Sequence, residues 1–216
     1  MKIAIIGATG FVGSALVKEA LERGHVVTAL ARDTAKIGGL TGRLTLKNVD
    51  VADEAALAAA LKGNDVVISA FNAGWSNPDL YTDFLAGSRH IEAAVEGAGT
   101  LRLIVIGGAG SLFIDGKQLV DSPDFPQEYK AGATAARDYM ERLKTNQLLE
   151  WAFFSPAIEM HPGIRTGRTG QFRLGTDAPV FDAGGKSSLS VEDLAVAVLN
   201  EAEHPVHIRQ RFTAGY

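Results

Sequence analysis

The first thirty-two residues constrain this chain more than any other part of it. Residues 1–6 are almost entirely apolar, and Gly7-Ala8-Thr9-Gly10-Phe11-Val12-Gly13 follows without a spacer. Residues 14–23 have helical character, and residues 25–31 form a second apolar run that ends at Arg32. A buried parallel strand, a tight glycine turn and a helix start in this order make a pyrophosphate site, because the first helical N–H groups point at whatever sits on the turn. The expectation is a bound dinucleotide.

Each glycine has its own task. Gly7 permits the tight exit from the strand, Gly10 lets the backbone approach the phosphates, and Gly13 allows the helix to pack on the sheet. Thr9 adds a hydroxyl, and Phe11 and Val12 complete the expected phosphate shell. Arg32 stands where an NAD site commonly carries a carboxylate, and a guanidinium there suits a 2'-phosphate, so NADP is favoured over NAD. Asp33 follows at once, and it either pairs with Arg32 or meets the ribose itself. Asp50 and Val51, past a third strand, are placed for the adenine. Ala70, Phe71 and Asn72, past a fourth, are placed along the ribose, since open sheets collect ligands at their strand ends.

Further along, apolar runs alternate with helical segments, the pattern of crossovers above a parallel sheet. Strands are predicted at 2–6, 26–30, 44–48, 66–69, 102–106 and 151–155, with helices at 10–23, 54–61, 80–97 and 131–145. Beyond Pro156 the chain is rich in loops. A short strand is expected at 172–174, a helix from Ser190 to Glu201 and a last strand within 207–213. The predicted class is α/β: a doubly wound parallel sheet with helices on both faces, one domain over residues 1–216. Residues 107–130 and 156–188 are expected as loops and small elements over the cleft.

Composition narrows the function. The formal charge of −4 gives no basic balance of the kind nucleic-acid binding shows. The absence of cysteine excludes thiol catalysis and disulfides. No metal-ligand cluster is visible, His161 included. The apolar runs are too short to span a bilayer and Met1 leads straight into the first strand, so a cytoplasmic location without membrane association is expected.

Taken with Gly107-Gly108-Ala109-Gly110-Ser111-Leu112, these residues resemble the atypical short-chain dehydrogenase/reductase proteins, specifically the NAD(P)H-binding group known as NADH-flavin reductases. More distantly the chain is similar to biliverdin-IXβ/flavin reductase and to NmrA-like sensors. The likeness also runs through Asp50, Asp121-Ser122-Pro123-Asp124-Phe125-Pro126, residues 151–156, Pro162-Gly163 with Gly167, and Arg211-Phe212-Thr213. It implies a Rossmann-like fold in which Gly107, Gly108 and the run to Ser111 line the nicotinamide and substrate pocket. It also implies that Ser155, Pro156 and Ala157 face the carboxamide.

One departure from the dehydrogenase pattern matters. The usual Tyr-x-x-x-Lys pair is missing: Tyr139 is followed by Lys144 and Tyr129 by Lys130, and neither spacing shares a helix face. Tyr139 reads more simply as a packed helix residue. Flavin reduction needs no such relay, because hydride passes between two stacked rings and the proton can come from water. The expected activity is hydride transfer from NADPH to a flavin, as substrate and not as tightly held cofactor, or to a similar planar small molecule such as a quinone. Ser111 is the expected orienting hydroxyl, and Phe113, Tyr129, His161 and Phe172 are candidates for the pocket wall. The alternatives are a redox sensor that binds the dinucleotide without turnover and a nucleotide-sugar epimerase-like enzyme. No apolar stripe can be assigned to a partner subunit.

Overall fold

The computed structural model describes residues 1–216. An eight-stranded sheet runs through the molecule in the order β3-β2-β1-β4-β5-β8-β10-β9. Its members are β1 (Lys2–Ile6), β2 (Val26–Ala31), β3 (Arg43–Asn48), β4 (Val66–Ser69), β5 (Arg102–Ile106), β8 (Glu150–Ser155), β9 (Arg173–Gly175) and β10 (Gln210–Gly215). All pairings are parallel except that of β9 with β10. β4 and β5 are buried along their whole length, which explains why they read as unbroken apolar runs. β3, at one edge, is largely exposed and carries Arg43, Thr45, Lys47 and Asn48.

Helices cover both faces, giving the Rossmann-like doubly wound architecture predicted. On one face α1 (Phe11–Glu22) and α5 (Val191–Glu203) pack over Ile3, Ile5, Val27 and Phe154. On the other, α2 (Glu54–Leu61), α3 (Leu80–Gly97) and α4 (Gln127–Leu143) cover Ala4, Ile6, Val67 and Phe153. The odd–even division of neighbouring strand residues is the period-two pleat sorting side chains between two core layers. No helix is long and apolar enough to cross a membrane.

Caps account for several boundaries. The Asp53 side chain accepts from the Ala56 N–H at 3.0 Å and opens α2, and Ser190 accepts from the Asp193 N–H at 3.1 Å and opens α5. Gly99, at φ 74°, closes α3. Several predicted boundaries move. α4 begins at Gln127, four residues earlier than expected, because Pro126 is a compatible start that hydropathy does not mark. α5 continues past Glu201 to Glu203, and β10 runs to Gly215. Residues 107–130 also contain a hairpin of β6 (Phe113–Ile114) and β7 (Lys117–Gln118). Asp115 and Gly116 turn it, both at positive φ.

Candidate functional site

The strand order reverses between β1 and β4, and there a crevice opens at the carboxyl ends of the strands. Contact across this switch point is close. Gly7 has φ 77°, and a β-carbon on it would lie 2.5 Å from the Ala70 carbonyl oxygen. Gly13 meets the same turn from the helix side, where a β-carbon would lie 2.0 Å from the Gly7 oxygen. The Gly7 and Ala8 N–H groups both donate to the Leu30 carbonyl, which ties the turn to the end of β2. Strand, turn and helix thus form a cradle that side chains at Gly7 or Gly13 would fill.

α1 is capped differently from α2 and α5. Its N-cap, Gly10, brings no side chain, and no acid stands in its first turn. The N–H groups of Phe11, Val12 and Gly13 have no acceptor within the protein. Three oriented donors at the positive end of a helix dipole suit a pyrophosphate. Thr9 and Gly10 are exposed beside them. The site therefore fits the dinucleotide on its own geometry.

The remaining expected residues gather along the same edge. Arg32 directly follows β2, is exposed and forms no ion pair, while the Asp33 carboxylate is occupied by the Ala35 N–H at 2.9 Å. The Arg32–Asp33 pair weighed from the sequence does not form. Thr34 fixes this stretch by donating its N–H and hydroxyl to Asn48 Oδ1 at 3.0 and 2.7 Å. Asp50 is exposed past β3, its carboxylate accepting from the Ala52 N–H. Val51 and Phe71 close over Gly87, and Phe71 stacks on Phe84 with centroids 5.9 Å apart. Asn72 accepts from the Gly74 N–H and shapes the turn after β4.

Past β5, Gly107 lies over the buried Phe153 ring, where a β-carbon would come within 2.0 Å of Cζ. Gly108 and Gly110 face Ala136 and Ala133 of α4. Ser111 is 0% exposed; its Oγ lies 3.0 Å from both the Gly108 carbonyl and Ser155 Oγ. The expected orienting hydroxyl thus ties the loop at Gly108 to the end of β8. Arg211 reinforces that loop by donating to the Ser111 carbonyl and pairing with Asp177. Its guanidinium lies 5.4 Å from the Phe113 ring centroid. Pro156 and Ala157 are buried where β8 ends.

The tyrosines separate clearly. Tyr139 is 1% exposed, edge-on to Phe84, and burial with the Glu92 carboxylate nearby pushes its pKa far above the ordinary range. It cannot act as a proton donor to a ligand at the strand ends. Tyr129 is exposed in the first turn of α4 and packs edge-to-face on Trp75, a residue that hydropathy had not singled out. Of the other wall candidates, His161 is exposed and accepts from the Gly163 N–H, and Phe172 packs with the α1/α5 core layer.

The segment after Pro156 is pinned to the α1/α5 face. Arg168 donates to Glu19 at 2.7 and 2.8 Å and, with Arg23, holds that buried carboxyl below its usual range. Asp193, 0% exposed, accepts the N–H groups of Thr169 and Gly170 and the Thr169 hydroxyl.

A family model described as NAD(P)H-binding matches residues 7–205. The chain is 37% identical over 216 residues to the "Uncharacterized protein YwnB" of Bacillus subtilis, covering 99% of this chain and 97% of that one. A solved "putative epimerase" from Bacteroides thetaiotaomicron is 44% identical with a TM-score of 0.91, covering 100% of this chain and 96% of that one. A solved "putative NADH-flavin reductase" from Streptococcus pneumoniae is 35% identical with a TM-score of 0.85, covering 100% and 99%.

Proposed function

The chain belongs to the NAD(P)H-binding family, and from that premise we propose that it is an NAD(P)H-dependent reductase whose acceptor is a flavin or another planar ring such as a quinone. One combination carries the reading. The cradle at Gly7, Gly10 and Gly13 is in place, whereas the Tyr-x-x-x-Lys pair of a dehydrogenase or epimerase relay is missing: Tyr139 is sealed in the core, and the exposed Tyr129 has Lys130 as its immediate neighbour. The likeness to the pneumococcal protein agrees with it.

When bound, NADPH supplies a hydride at the nicotinamide C4. The chain's part is orientation. The free N–H groups of α1 hold the pyrophosphate, Asp50 and Val51 border the adenine, and Ala70, Phe71 and Asn72 follow the ribose. Gly107 and Gly108 bring the backbone of the run, packed on Phe153 and Ala136, alongside the ring, Pro156 limits it on the β8 side, and Ser111 keeps the glycine run in place. Two planar reactants held face to face need little else, since proximity supplies much of the rate and water the proton.

The test is NADPH oxidation by purified protein with riboflavin, FMN or a simple quinone. Saturable turnover with one of them is expected. Tight NADPH binding without turnover would overturn the reading and select a redox sensor.

Arg32 decides the choice of donor. Arg32→Ala is expected to weaken NADPH about 10- to 100-fold, the value of one charge-assisted contact, and NADH by less than about twofold. Titration of both nucleotides checks this, and equal losses would remove the phosphate role.

A further inference from the structure

Trp75 and Tyr129 stand unexplained by the cofactor site. We infer that they form the stacking wall for the ring of the acceptor, an inference that rests on the reductase reading. Trp75 is 61% exposed and Tyr129 49%, whereas the other tryptophan, Trp151, is buried. Their centroids are 5.6 Å apart at 85°, so indole and phenol make a corner with aromatic surface open to solvent. Exposed aromatic faces stack on other planar rings.

The indole is held in place. Asn77 donates its N–H to the Gly74 carbonyl and its amide to Ala73 and Asp83, folding the turn that presents Trp75. Beneath it lies Gly132, inside α4, where a β-carbon would come 2.9 Å from Trp75 Cζ3 and 3.2 Å from Leu80 Cδ2. Glycine within a helix is less stable than alanine. Here it makes the hollow in which the ring edge rests.

Position supplies the occupant. The turn leaves the end of β4 at the switch point, beside the residues expected along the ribose. α4 reaches the glycine run one turn later, at Ala133 against Gly110 and Ala136 against Gly108. The aromatic corner therefore rims the crevice on the side where the nicotinamide ring is expected. Its aromatic faces select planarity and polarisable surface. A flavin or quinone ring has both.

The experiment is steady-state kinetics with riboflavin at saturating NADPH, alongside NADPH titration and thermal melting of each variant. Trp75→Ala is expected to raise KM for riboflavin about tenfold, the scale of one lost aromatic stack, with Trp75→Phe restoring most of it. NADPH affinity and melting temperature stay near those of the parent. Tyr129→Ala moves KM in the same direction by less. If the parent turns over riboflavin and Trp75→Ala leaves KM unchanged, the wall is refuted while the reductase reading stands. If the parent turns over no flavin or quinone, both fall. A concentration-dependent dimer that Trp75→Ala dissolves would assign the corner to a second copy of the chain and overturn the inference.

Discussion

Gly13→Ala is expected to lower NADPH affinity by about a hundredfold or more, because it displaces the helix start that presents the phosphate donors. The added methyl would lie 2.0 Å from the Gly7 oxygen and 3.0 Å from the Ala8 Cα, both backbone atoms that cannot swing aside. Either α1 moves off the sheet or the turn opens, and each outcome misaligns the free N–H groups of Phe11 and Val12. Forcing volume into a packed site costs about 1–3 kcal/mol, so the apo-protein should also melt earlier. Gly97→Ala is the control. It lies in α3, its β-carbon would meet Ala58 Cβ at an ordinary 3.7 Å, and it is expected to leave binding unchanged. Nucleotide titration and melting of the three proteins separate the effects, and a Gly13→Ala variant that binds like the parent would remove the cradle from the account.

The donor half of the site was legible because it is local. A strand, a turn and a helix start within residues 1–32 impose their geometry through neighbours in sequence, and the free Phe11, Val12 and Gly13 N–H groups follow from Gly10 having no side chain. The acceptor half is assembled from distant segments. Ser111 reads as a turn serine until β8 places Ser155 against it and β10 places Arg211 beneath its carbonyl. Trp75 and Gly132 are far apart in sequence and gain meaning only together, although a glycine three residues after Tyr129 in a helical pattern is a visible irregularity. The Asp115-Gly116 turn was a local signal of the β6–β7 hairpin that hydropathy periodicity passes over, since each strand is only two residues long. Tyr139 was readable as packed, because Lys144 falls off its face of α4.

Asp193→Ala is expected to cost about 3 kcal/mol, the value of losing several hydrogen bonds to a buried charged acceptor. Over a chain of this size that corresponds to a fall of roughly 6–12 °C in Tm. Its Oδ1 accepts from the Thr169 and Gly170 N–H groups at 2.9 and 2.8 Å, and its Oδ2 faces the Thr169 and Tyr216 hydroxyls at 2.5 and 2.9 Å. The carboxylate also sits in the first turn of α5, where a negative charge meets the positive end of the helix. Three separate segments therefore lose one anchor: the loop after β8, the start of α5 and the C-terminal Tyr216. Asp193→Asn should lose about half as much, because Oδ1 still accepts both N–H groups and the two hydroxyls can turn to accept from the amide. Limited proteolysis gives the spatial readout. Cleavage should rise within residues 163–170 in the alanine variant, while α4, which shares no contact with Asp193, keeps its protection. A melt within about 2 °C of the parent, by the same size scaling, would show that Arg168 on Glu19 holds the loop without this carboxylate.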